Sequence, residues 1–168
     1  MNSKVYIDIE TSGFSQQEDK IIEIAALKID QQSKVRTLFH SFFYPEKQID
    51  KKISAITNLT NEFLQQSPTF EKKADEFLTF IAGTDLFVFN EKFVIGFLNS
   101  ELQKSSNVVI KNTTHDLLKL SQDIYKTETV NLDFLIKVLK VGENMSKNVF
   151  NEILILPIMF NRVSEKIL

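Results

Sequence analysis

Three β-type runs fill the first 44 residues, and no other feature constrains the fold as much. Lys4–Glu10, Lys20–Ile29 and Lys34–Tyr44 are separated by short polar gaps, as antiparallel neighbours require. Ile53–Thr60 then opens a helical stretch. Ser67-Pro68-Thr69-Phe70 reads as a cap and the start of a helix to about Ile81, ended by Gly83. Asp85–Phe89 is a short apolar run suited to a buried strand. Glu91 to about Gln103 follows as a helix with Phe93, Phe97, Leu98 and Leu102 apolar. A brief strand is predicted at Asn107–Ile110, and helices over Asp116–Tyr125, Leu132–Leu139 and Asn148–Val163. Hairpin strands followed by strand–helix–strand crossovers predict an α/β fold, a mixed five-stranded sheet with helices on both faces. Pro157 falls inside the last predicted helix, where proline removes a hydrogen bond. Either that helix bends near Glu152 or Leu154–Phe160 is not helical.

The length of 168 residues suits a single domain over 1–168 with a proper core. A hydrophobic content of 43% with 25% charged residues excludes a disordered or membrane-embedded chain. Cysteine is absent, which excludes a disulfide scaffold or thiolate metal site and is compatible with a reducing, cytoplasmic interior. The N-terminus runs almost directly into a strand. The expectation is therefore no signal peptide, and no apolar run reaches membrane length. The net charge is −2 and the pI about 5.8, so the chain lacks the global basic footprint of a dedicated nucleic-acid binder. That opposes strong autonomous binding to nucleic acid. It does not oppose a nuclease, whose bound metals supply positive charge.

Asp8 and Glu10 carry the chemistry. In Lys4-Val5-Tyr6-Ile7-Asp8-Ile9-Glu10-Thr11-Ser12-Gly13-Phe14 the two acids share one strand face, opposite Ile7 and Ile9. A Thr-Ser-Gly turn follows, which places them at a strand end that substrate can approach. Two readings are open on these residues alone. Both acids are solvated on a half-exposed strand, or a divalent metal neutralises the pair.

Asp8-x-Glu10-Thr11-x-Gly13, a short loop and Ile21-Ile22-Glu23-Ile24-Ala25-Ala26 together resemble the opening of the DnaQ-like exonucleases. That family includes the epsilon subunit of bacterial DNA polymerase III and has a ribonuclease H-like fold. The similarity extends over nearly the whole chain. Ile53–Phe70 looks like the connecting region. Phe89-Asn90-Glu91-Lys92-Phe93-Val94 matches the second motif, His-Asn-x-x-Phe-Asp. His115-Asp116-Leu117-Leu118 and Asn131-Leu132-x-x-Leu135 match the segments before the third motif. Lys147–Glu152 lies where the family has His-x-x-x-x-Asp. The departures are chemical: Val94 replaces an aspartate, Lys147 the histidine, and Glu152 the last aspartate.

The resemblance implies 3′–5′ hydrolysis of single-stranded DNA or RNA by a two-metal mechanism, with ions roughly 3.5–4 Å apart. It implies that Asp8, Glu10 and Glu152 hold Mg²⁺ or Mn²⁺ weakly, with at most one ion held well. Thr11, Phe14 and Asn90 would bind the 3′ end, Phe14 as a wedge against the terminal base. Phe14 reads equally as a loop anchor. A polymerase or replication partner is also implied. After the last helix too few residues remain for the epsilon subunit's polymerase-binding tail. Val94 offers no oxygen. A lysine at 147 is protonated near neutral pH and cannot accept a proton, so impaired catalysis is expected. Lys147 reads as a solvated lysine at a helix start or as an internal cation beside Asp8 and Glu10. Glu91 and Asp85 flank the second motif, and the ordinary reading of Glu91 is a first-turn acid. His40 reads as structural, and His115 as an exposed residue near a helix start. Tyr125 is too far from the third motif to act there. Two function classes result: a weakened exonuclease, or a non-catalytic module that binds nucleic acid or a replication partner.

Overall fold

The first strand, β1 (Lys4–Thr11), organises the molecule. A computed structural model of the chain describes residues 3–142, 145 and 148–166. β1 pairs antiparallel with β2 (Ile21–Ile29), which pairs antiparallel with β3 (Arg36–Phe42). On its other side β1 pairs parallel with β4 (Asp85–Val88), and β4 pairs parallel with β5 (Thr114–Asp116). The sheet order is β3-β2-β1-β4-β5, the mixed five-stranded arrangement expected.

Alternation along β1 sends Val5, Ile7 and Ile9 into one core. There they meet α3 (Ala74–Ile81) through Ala74, Phe77 and Ile81, and α4 (Glu91–Ser106) through Phe97, Leu98 and Leu102. Tyr6 points the other way, with Ala25 and Leu27 of β2. That face is covered by α5 (Leu117–Tyr125), α6 (Leu132–Leu139) and α7 (Val149–Ser164). The predicted 53–60 helical stretch is two short helices, α1 (Lys51–Thr57) and α2 (Asn61–Leu64). They close a third small cluster over Ile22. The helix predicted after Ser67 starts as a 3₁₀ turn over Phe70–Lys73 before α3.

One element differs in kind. Asn107–Ile110 is not a strand. Asn107 takes a left-handed conformation that ends α4, and the Val108 amide donates back to the Leu102 carbonyl. The Ile110 amide donates to Asn99. The backbone of this apolar stretch is used to stop the helix, so the edge beside β4 is taken by Thr114–Asp116.

The helix α7 continues through Pro157. An interior proline costs about 3 kcal/mol. Against this, Ile153, Leu156, Met159, Phe160 and Val163 are all buried, each worth roughly 1.5–3 kcal/mol. Packing wins, and the residues after Glu152 stay helical.

The junction at the end of β4 is tied by one side chain. The Asp116 carboxylate accepts from the amides of Asn90 (3.0 Å) and Glu91 (3.0 Å), and caps α5 through Leu118 (2.9 Å). Asp116→Ala should therefore destabilise the fold by about 2 kcal/mol, the upper end for a helix cap. Chemical denaturation would show this. A loss under about 0.5 kcal/mol would mean that water replaces the carboxylate without penalty.

Candidate active site

Asp8 and Glu10 leave β1 on the face that α7 covers, close to the C-terminal end of the strand. The loop beyond them is built on Asp19. Its carboxylate accepts from the Ser15 amide and the Ser12 hydroxyl, and pairs with Lys47 at 2.6 Å. Burial acts to raise the Asp19 carboxyl, and these contacts with Lys47, Ser15 and Ser12 together outweigh it and hold the group below its usual value. A side chain at Gly13 would collide with this carboxylate at 2.3 Å, so the tight loop requires glycine there. Thr11 is buried and donates to the Gly13 carbonyl at 2.5 Å. Phe14 consequently stands out from the surface, 72% exposed.

Glu152 arrives from the first turn of α7. Asn148 caps that helix by accepting from the Asn151 amide at 2.8 Å. Glu152 and Asp8 hydrogen-bond to each other. Two carboxyls can do this only with a proton between them. Burial raises Asp8 well above the usual carboxylate range. The charge of Glu152, its hydrogen bond and the charge of Glu10 raise it further, while the Ile9 amide acts in the opposite sense. Burial, followed by Glu152 and Glu23, pushes Glu10 up to about 7.

Glu23 was not expected here, and neither was His40. The register of β1 and β2 sets Glu23 directly opposite Glu10, and so on the same face. Glu23 is buried, and the His40 ring of β3 hydrogen-bonds it at 2.7 Å. Burial raises the Glu23 carboxyl, with His40 opposing that shift. The signal in the sequence was a lone acid within an otherwise apolar, fully buried run.

The second motif is arranged differently. Asn90 takes a left-handed conformation (φ 70°), and its side chain caps α4 by accepting from the Phe93 amide. Val94 is 1% exposed, inside the cluster of Ile7, Ile9 and Phe97. Glu91 is exposed and is not among the groups that raise Asp8 or Glu10. Asp85 begins β4 and lies 3.9 Å from His115, which stacks on Phe87. These two residues are apart from the acids. Tyr125 ends α5 against Phe134. Lys147 lies outside the described residues.

Hard carboxylate oxygens that are buried and mutually repelling suit a hard divalent ion. Among the described residues, no three acid or histidine side chains already converge as an ion site. Asp8 and Glu152 face each other instead. The set therefore fits an ion in chemistry, and side-chain rotation is needed to enclose one.

A mixed sheet in this order, with helices on both faces and an acid pair at the end of its first strand, defines a ribonuclease H-like exonuclease fold. The chain belongs to the RNase_T family of exonucleases, whose pattern matches residues 5–146. It is 32% identical over 161 residues to the DNA polymerase III subunit epsilon of Buchnera aphidicola subsp. Baizongia pistaciae, covering 90% of this chain and 65% of that protein. The chain thus spans just under two thirds of that relative. Its fold matches a 3′-exonuclease that recognises the 3′ end of the histone mRNA stem-loop (TM-score 0.77, 15% identity, 98% of this chain, 64% of that one). It also matches E. coli exonuclease I in complex with a dA16 oligonucleotide (TM-score 0.76, 14% identity, 98% and 41%).

Proposed function

We propose that this chain is a 3′–5′ exonuclease acting on single-stranded DNA or RNA ends, slowed by the replacements at Val94 and Lys147. What supports the proposal is the electrostatic influence of Glu152 on both Asp8 and Glu10 at the end of β1, with Phe14 exposed on the loop that follows the strand. Asp8, Glu10 and Glu152 would hold Mg²⁺ or Mn²⁺, which would supply the positive charge that offsets developing negative charge on the phosphodiester. Phe14 offers a ring face on which a terminal base can stack, worth about 1–3 kcal/mol. Thr11 and Asn90 bind substrate less through their side chains, which hold the loop and α4, than through the backbone shape they impose. With no histidine at 147, proton removal from water is the weak step, and loss of one general base costs about 10²–10⁴-fold.

The relative named above is a polymerase subunit, and this supports a polymerase or replication partner for this chain, in the cytoplasm. Among the described residues no helix is long and apolar enough to cross a membrane. The burial of Val94 in an apolar cluster favours a second reading, a non-catalytic module of the same fold.

A 5′-labelled single-stranded oligonucleotide separates these readings. The chain should shorten it from the 3′ end in Mn²⁺, more slowly in Mg²⁺, and not in chelator. The double variant Lys147→His, Glu152→Asp should be faster than the parent. Val94→Asp should gain no activity and should lower stability, since it puts a carboxylate into the apolar cluster of Ile7 and Ile9. Intact binding without shortening, in parent and double variant alike, would leave the binding module as the function.

A further inference from the structure

Glu23 lies in the Ile21–Ala26 stretch that carries part of the resemblance but has no role as a ligand there, and His40 lies in none of the matching stretches; the fold brings both to the candidate site. Three facts place them there. Glu23 is the cross-strand partner of Glu10, and side chains directly opposite in an antiparallel pair have Cβ atoms about 4.5–5.5 Å apart. The chain buries the Glu23 carboxylate at 7% exposure although a lysine or neutral residue would relieve its repulsion with Glu10. Among the described residues the His40 ring hydrogen-bonds one of the Glu23 oxygens, Oε1, at 2.7 Å, and a carboxylate carries further lone pairs on its second oxygen.

His40 is itself fixed from several sides. β3 pairs it with Ala25, two residues along from Glu23. Its ring meets Phe42 at 4.9 Å and Phe150, in the first turn of α7, at 5.9 Å. The same turn carries Glu152. A continuous row thus runs across one sheet face: His40 on β3, Glu23 on β2, and Glu10 on β1, with Asp8 and Glu152 beside it. The arrangement of an imidazole hydrogen-bonded to a carboxylate that could hold an ion is a common way of fixing ligand orientation.

We propose that Glu23 is a fourth carboxylate of the divalent-ion site, held in orientation by His40, on the side of Glu10. The inference rests on the exonuclease reading and deepens it. The family's second-motif position cannot contribute an oxygen here, because Val94 is apolar and faces the opposite core. Glu23 restores the count of acids from a different strand. His40 acts as a positioning residue: it holds Glu23 and does not touch substrate.

The test is Mn²⁺ titration by calorimetry at pH 8, together with metal-free melting, on the parent and four variants. Asp8→Asn reports on the site as a whole. Glu23→Gln should weaken Mn²⁺ binding about tenfold or more, the size of effect seen when a ligand or its support is removed. The metal-free melting temperature of Glu23→Gln should be unchanged or higher, because a repelling charge has gone. His40→Phe should weaken binding, and His40→Gln should largely restore it, since an amide N–H can also donate to Glu23. If Glu23→Gln does not fold, Glu23→Ala replaces it, and parental affinity in that variant overturns the proposal. A parent that binds no Mn²⁺ overturns both this proposal and the exonuclease reading. A parent that binds, an Asp8→Asn that does not, and a Glu23→Gln within twofold of the parent overturn this proposal alone. So does a Glu23→Gln that melts lower without metal and binds Mn²⁺ normally, which would make the pair a structural tie.

Discussion

Asp8→Asn will remove metal-dependent nuclease activity and at the same time make the metal-free protein more stable. The substitution is nearly isosteric, and an asparagine can still hydrogen-bond Glu152, so the geometry of β1 and α7 should be kept. What is lost is the charge that faces an ion. Charge stabilisation by a bound metal is worth several kcal/mol in the transition state, so product release should fall about 10³-fold. What is gained is relief from burying a carboxylate against Glu152 and Glu10, the causes of its raised pKa. Melting in chelator at pH 8 should therefore move up. Most substitutions at partly buried sites lower stability, so the opposite sign is a specific signature. A lower melting temperature in chelator would show that the carboxylate supports the fold and would remove the electrostatic argument for an ion site.

Metal-free stability will also fall as pH rises from 5 to 8. Glu10 titrates near 7 in the folded chain against an ordinary value of 4.5. Below 4.5 it is protonated both folded and unfolded. Between the two values only the folded state keeps the proton, so the unfolded state binds fewer protons and stability declines with pH. The decline is complete above about 7. Glu10 alone accounts for about 3 kcal/mol, on the order of 5–10 °C in a chain this long. Asp8 and Glu23 are shifted in the same direction and add to it. Asp19 and Asp30 are shifted down, so they matter only below their ordinary value of 3.8. Mn²⁺ at pH 8 should restore what is lost, since an ion that binds only the folded state stabilises it by mass action. Calorimetric melts at pH 5 and pH 8, with chelator and with Mn²⁺, check this. A flat or rising metal-free profile contradicts the buried repulsion.

Several features were legible because they are local. Alternation in Lys4–Glu10 placed Asp8 and Glu10 on one face, and β1 shows them there. The Ser67–Phe70 and Glu91 starts, the α5 and α6 spans and the Gly83 stop depend on neighbouring residues, and their bounds agree closely. Glu152 was reached through motif spacing, and the structure joins it to Asp8.

Other features depended on partners far away in the chain. Asn107–Ile110 has the composition of a strand, but α4 needed its backbone for a stop, and the sheet edge went to Thr114–Asp116. Pro157 opposes a helix locally, and α7 continues because its apolar face is buried on the sheet. Thus the alternation of the first strand, the order of elements and the family were determined by the sequence itself. Pleat and helix period are short-range properties of the chain. The joining of Glu23 and His40 to Glu10, and the enclosure of Val94, were decided only by tertiary structure. Register between strands and the packing of a helix on a sheet are set by the summed burial of many distant residues.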